Sequence, residues 1–290
     1  MSELLNDIKV KSQYFLPKTL LSRGIGKLAS AKLGKTTTFL IKSFIKQYNI
    51  DMSEAEISDI TKFETFNDFF TRALKKGTRP IIADKDALAM PVDGTISQTG
   101  DIYKDAILQA KGHYYSLEAL LGGDEKDAKY FENGKFATIY LAPSNYHRVH
   151  MPLDGKLEKM VFVPGDLFSV NPLTAENVDN LFARNERAVC FFNNERIGRF
   201  AVVLVGATIV ASIETVFAGV VAPSKGKEKT IYDYSKENIS LKKGEELGRF
   251  LLGSTVVCVF PKAKVDFEKE LTPTTPVKMG KKLGIIRAKA

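Results

Sequence analysis

The stretch "FLLGSTVVCVF", residues 250–260, decides the fold. Apolar and β-branched residues dominate it, as in a strand at the middle of a sheet. Gly253, Ser254 and Thr255 interrupt it. Glycine weakens a strand and marks a bulge or a close backbone approach. A buried hydroxyl needs a partner or costs free energy. The plain reading is a bulge whose hydroxyl bonds the backbone; the sharper one is a reactive serine.

From about Ile81 onward, short β-type runs alternate with Asp-Gly, Pro-Gly and Asn-Gly turns. The first 75 residues read instead as helical. Pro17 suits a helix start, and Gly24, Gly26 and Gly34 divide the segment. "DMSEAEISDITKF" (51–63), capped by Asp51 or Ser53, and "TFNDFFTRALKK" (65–76) continue that pattern. The expected fold is α+β: amphipathic helices over residues 1–75, then a mainly antiparallel β-rich core over 76–290.

With 290 residues, 44% apolar and 26% charged, the composition is globular. Cys190 and Cys258 make no disulfide framework, so a reduced, cytosolic setting is expected. The start lacks the apolar core of a secretory signal. The longest apolar run, 201–213, is too short to span a bilayer, which needs about 20 residues. An integral membrane protein is not expected.

Net charge is +8, and residues 1–50 hold nine Lys/Arg against two Asp/Glu. Such a basic arm calls for an anionic partner, either nucleic acid or a membrane surface. No nucleic-acid-binding signature is present. Phe39, Leu40, Phe44, Ile45 and Tyr48 recur at helical spacing beside Lys35, Lys42 and Lys46. That face suits a lipid interface or packing on the protein's own core.

Two internal echoes stand out. "MPVDGTI" (90–96) matches "MPLDGKL" (151–157), and "GRFAVVLVGATIV" (198–210) matches "GRFLLGSTVV" (248–257). In the second pair Ala207 stands where Ser254 does. If one corner is built twice, only the copy with Ser254 can do hydroxyl chemistry.

Of the three histidines, His147 and His150 share "NYHRVHMP". Zinc would need further ligands, and no Cys pair or His-Glu helix accompanies them, so no metal is expected. A serine becomes nucleophilic when a base takes its proton, histidine being the usual base and a carboxylate its orienter. Asp93, Asp154 and Asp166 qualify as that carboxylate by turn placement. No G-x-S-x-G elbow is present, which argues against an α/β-hydrolase.

"LGST" with "YHRVHMP" about a hundred residues earlier resembles the phosphatidylserine decarboxylase proenzyme family. "FNDFFTRALKKGTRPI", "PVDGTI", "KGHYYSLEALLG", "VPGDLFSVNPLTAENVDNLFARNER" and "VGATIVASIETVFAG" resemble further family blocks, in order. The resemblance implies a pyruvoyl group made from Ser254. Its Oγ would attack the Gly253 carbonyl, with His150 as base and Asp93 orienting it, yielding a β chain 1–253 and an α chain 254–290. The pyruvoyl would hold phosphatidylserine as a Schiff base and accept the electrons left by carbon dioxide. His147 would deliver the proton that completes phosphatidylethanolamine. His113 falls where the pattern needs no histidine and is read as structural.

The family also implies a peripheral protein on the cytoplasmic face of the cell membrane, bound to an anionic surface, with a homodimer left open. Two other readings stand beside it. One is a pyruvoyl decarboxylase for a soluble amino acid, disfavoured by the basic arm. The other is a non-enzymatic membrane-binding β module.

Overall fold

The computed structural model describes residues 10–14, 18–207, 212–222, 228–251 and 254–288. Helices α1 (Lys18–Ala29), α2 (Lys35–Tyr48) and α3 (Phe66–Phe70) precede the β-rich core, as the sequence pattern implies. The strands that build the site are β1 (Gly94–Asp101), β2 (Lys135–Leu141), β3 (Arg148–His150), β4 (Gly155–Val163) and β5 (Arg187–Asn194). They continue with β6 (Gly198–Val205), β7 (Ile213–Thr215), β8 (Glu246–Phe250) and β9 (Ser254–Phe260).

A nine-stranded sheet has the central order β4-β5-β6-β9-β2-β1, flanked by Thr230–Asp233 and Pro276–Val277, with Ser240–Leu241 also pairing β4. Its ladders are antiparallel. A second, four-stranded sheet joins Gly219–Val220 to β7, β8 and β3. β9 lies between β6 and β2 and is buried along its whole length. That is why its sequence runs apolar without alternation. Burying Val256, Val257 and Val259 contributes roughly 1.5–3 kcal/mol each over exposure.

The first echo is a structural two-fold. Met90 donates its N–H to Lys281 O and accepts from Gly280 N–H; Met151 does the same with Glu245 and Gly244. The two copies also join each other, His150 N–H to Pro91 O at 2.8 Å and Ala89 N–H to Pro152 O at 2.8 Å. Gly94 and Gly155 each open a strand at a close approach. A Cβ on Gly94 would lie 2.4 Å from Tyr140 O, and one on Gly155 2.9 Å from Phe192 Cβ. The second echo is not a repeated corner. Gly198–Val205 is a strand of the large sheet, whereas Gly248–Phe250 belongs to the small one. Gly206 follows the end of β6 where Ser254 opens β9, since Val205 pairs with Thr255. Thr208 lies outside the described residues.

The helical part differs from the expectation over 51–76. The segment 51–63 holds one 3-10 turn, Ile60–Lys62, and α3 stops at Phe70. Asp51 and Asp59 accept the Ser53 and Thr61 N–H groups, local bonds that compete with a helix. Glu56 N–H then bonds Ala73 O, and Lys75 N–H bonds Glu54 O, which commits both stretches to extended pairing. A Thr65–Asp68 capping box starts α3. The stripe on α2 is also divided. Phe44 packs on the rings of Phe66, Phe69 and Phe70, at 5.2, 6.2 and 6.0 Å between centroids, while Phe39 stays 68% exposed. No helix among the described residues is long and apolar enough to cross a membrane.

Candidate active site

Ser254 enters β9 opposite Leu141, and Thr255 faces Tyr140 on one side and Val205 on the other. Both hydroxyls are buried, and neither has a hydrogen-bond partner among the described residues. A bulge serine would have its hydroxyl on a backbone acceptor; this one has none among the described residues. Gly253, the other half of the expected scissile bond, lies outside the described residues.

Topology brings His147 to the same place. Leu141 pairs with Ser254, and six residues later the His147 carbonyl accepts the Phe250 N–H at 3.0 Å. The chain from 141 to 147 and the chain from 254 back to 250 therefore start and end side by side. The His147 ring is fully buried, stacks on Phe70 at 4.0 Å, and has neither nitrogen paired among the described residues. Burial, helped by the Arg72 charge, pushes its pKa down to about 3, against the pull of the Pro143 and Ala142 carbonyls. At neutral pH it is a neutral imidazole.

His150 sits on β3 with Nδ1 2.8 Å from Gly244 O. A carbonyl only accepts, so this nitrogen carries the proton. Nε2 then accepts from the Tyr146 hydroxyl at 3.1 Å. Burial lowers the His150 pKa despite the Gly244 bond and nearby Glu246. The ring is thus neutral with its lone pair on Nε2, the tautomer a general base needs.

Asp93 does not bond His150. Arg79 holds it, with Nε 2.9 Å from Oδ1 and Nη2 2.6 Å from Oδ2, and the Met279 N–H adds 2.8 Å to Oδ1. Arg79 also grips Glu54. The two-fold explains part of this: Asp154 Oδ1 accepts the Lys243 N–H just as Asp93 accepts that of Met279. Asp93 differs in being buried and arginine-bound. It stands two residues from Pro91, whose carbonyl holds His150 N–H. His113 pairs with Asp179 at 2.8 Å, away from these groups in the fold. Asp166 pairs with Arg184.

Tyr146, Gly244 and Arg79 were not singled out from sequence. Tyr146 lies four residues before His150 inside the histidine motif, the only local signal for it. The contacts of Gly244 and Arg79 cross the chain and leave no such spacing.

Both neutral histidines bind fewer protons folded than unfolded. Their contribution is fully present above the unfolded value of about 6.5, and it is lost as pH falls from there toward the folded values, at up to about 1.4 kcal/mol per pH unit for each group. His147→Phe, which keeps a ring on Phe70, should flatten the slope between about pH 6.5 and pH 4 in urea unfolding. An unchanged slope would show that His147 does not titrate there.

The fold and the site define an α+β chain with a buried serine and two neutral histidines where its nine-stranded and four-stranded sheets meet. The family profile described as "Phosphatidylserine decarboxylase" matches residues 66–285, and one described as "PSD" matches residues 8–49. The phosphatidylserine decarboxylase proenzyme of Psychromonas ingrahamii is 58% identical over 96% of this chain and 96% of its own. That of Shewanella sediminis is 60% identical over 95% and 97%, and that of Pseudoalteromonas translucida 58% over 95% and 96%. The chain belongs to the phosphatidylserine decarboxylase family.

Proposed function

We propose that this chain is a carboxy-lyase that converts phosphatidylserine to phosphatidylethanolamine, using a pyruvoyl group made from its own Ser254. The observation that carries this is the buried Ser254 hydroxyl at the mouth of the central strand, without a hydrogen-bond partner among the described residues. A free hydroxyl costs about 1–3 kcal/mol where burial leaves it unsatisfied. A group about to be consumed fits that cost, and a planar pyruvoyl fits the volume of the serine it replaces.

Self-cleavage starts when Ser254 Oγ adds to the Gly253 carbonyl and the Gly253–Ser254 C–N bond breaks, leaving an ester and a free amine. Loss of the Ser254 α-proton expels the Gly253 carboxylate from Cβ and leaves dehydroalanine. Water then releases ammonia and leaves the pyruvoyl. His150 Nε2 is the base for these transfers. Asp93 belongs to the same set through its field on His150, which favours the charged ring. The products are a β chain 1–253 and an α chain 254–290, and β9 keeps the α chain in the sheet.

The pyruvoyl supplies an electron sink for the bond that loses carbon dioxide. His147 holds the proton destined for that carbon. Intact and denatured mass spectra test the reading: two fragments meeting at 253/254, the second blocked, together with carbon dioxide release from phosphatidylserine rather than free serine. An uncut wild-type chain would leave a membrane-binding module.

The catalytic core acts as a peripheral protein on the cytoplasmic face of the membrane. Leu28 and Phe39 are 51 and 68% exposed on lysine-bearing helices, and Leu33, 39% exposed, lies in the turn between them. That surface suits an anionic bilayer. Phe39→Ser should weaken sedimentation with phosphatidylserine vesicles by about tenfold, and rising salt should weaken it further. Sedimentation unaffected by both would remove this helix from the contact.

A further inference from the structure

Arg72 is the buried charge that neither the fold nor the self-cleavage chemistry uses. It is 6% exposed, its Nε has no hydrogen-bond partner among the described residues, and its guanidinium lies over the Phe69 ring at 5.3 Å. Most acids around it are engaged elsewhere. Glu54 and Asp93 are held by Arg79, Asp68 caps α3, and Glu64 pairs with Lys32. Glu56 also lines the cleft beside Arg72, but it is exposed and makes no ion pair with Arg72 among the described residues. Burial lowers its pKa, yet an arginine stays charged at neutral pH. A buried, unpaired cation is costly and calls for an anion.

Arg72 lines a cleft of about 410 Å³ with Lys62, Arg148 and Arg249 and the acids Glu56, Glu64 and Asp68. The cleft borders the active site. Phe70, two residues from Arg72, stacks on His147, and Arg148 Nε donates to Thr71 O at 2.8 Å. Arg148 and Arg249 are already neutralised by Glu246, at 2.9 and 2.7 Å. Among the described residues, Arg72 alone of these arginines has no carboxylate partner.

We propose that Arg72 binds the phosphodiester of the lipid substrate, which rests on the phosphatidylserine reading above. Phosphatidylserine offers two anions, and the chemistry chooses between them. The carboxylate loses its charge as carbon dioxide leaves, so a cation fixed on it would stabilise the ground state and slow the reaction. The phosphodiester keeps its charge throughout. A planar fork there holds substrate and transition state equally, and its loss appears in KM with kcat nearly unchanged.

The test has a binding arm independent of turnover. In the uncleaved Ser254→Ala chain, sn-glycero-3-phosphoethanolamine is titrated by calorimetry, with inorganic phosphate as a second probe. The diester should bind, and Arg72→Gln should weaken it roughly 10- to 100-fold. Arg72→Lys, which keeps the charge without the fork, should fall between. In the mature enzyme Arg72→Gln should raise KM for phosphatidylserine by a similar factor. Arg72→Gln should also melt no lower than the parent chain, because it removes an unpaired buried charge. Diester binding that survives Arg72→Gln, a site that takes inorganic phosphate but not the diester, or a fall in kcat at constant KM would each overturn the proposal. Diester binding intact in a wild type that releases no carbon dioxide from phosphatidylserine would instead remove the substrate reading.

Discussion

Ser254→Ala should leave the chain whole and lower phosphatidylserine decarboxylation by at least ~10⁶-fold, to background. No other side chain can supply the same ketone at the head of β9, and alanine has no oxygen to attack the preceding carbonyl. The folded state should not suffer. The Ser254 hydroxyl has no partner among the described residues, so its removal relieves an unsatisfied group and the variant should be at least as stable as the wild-type precursor. A bulge hydroxyl bonded to the backbone would give the opposite sign, a loss of about 1 kcal/mol. Intact mass, carbon dioxide release and urea unfolding read the three outcomes. His150→Ala should also remain uncut, since Nε2 is the proton acceptor of the proposed step. A Ser254→Ala chain that still cleaves at 253/254 would sink the whole scheme.

The central strand was legible because burial on both faces writes itself into sequence as an apolar run. β9 is buried from Ser254 to Phe260, and no alternation was there to mislead. The 90–96 and 151–157 echo was visible too, although its meaning, a two-fold with matching bonds at Met90 and Met151, needed coordinates. Residues 51–76 misled because charged and apolar residues there have helical spacing while Asp51 and Asp59 satisfy their neighbours locally. At the site, scarcity of histidine pointed to His147 and His150. The sequence carried no trace of the Asp93–Arg79–Glu54 cluster. Its members are 14 and 25 residues apart and meet only through the fold. A carboxylate in an Asp-Gly pair reads the same whether it faces a histidine or an arginine.

His147→Ala should cut at 253/254, at least in part, yet lose about 10²- to 10⁴-fold in decarboxylation, the usual weight of a positioned proton donor. Two features separate its role from that of His150. His150 has both nitrogens engaged, by Gly244 and Tyr146, in a tautomer set for accepting a proton. Among the described residues neither His147 nitrogen has a hydrogen-bond partner, and the ring stacks on the face of Phe70. Its pKa of about 3, set mainly by burial, is too low for an imidazolium at neutral pH. An anionic substrate entering beside it would raise that value, because a nearby negative charge favours the protonated ring. On the proposed reading the histidine acts as the acid when substrate is present and stays neutral otherwise. Loss of the ring should lower kcat more than it raises KM. The check is a single preparation, with the cleaved fraction by mass and carbon dioxide release per cleaved chain. A fully uncut His147→Ala chain would move His147 into the self-cleavage step, and a cut chain with full turnover would leave it only a packing partner of Phe70.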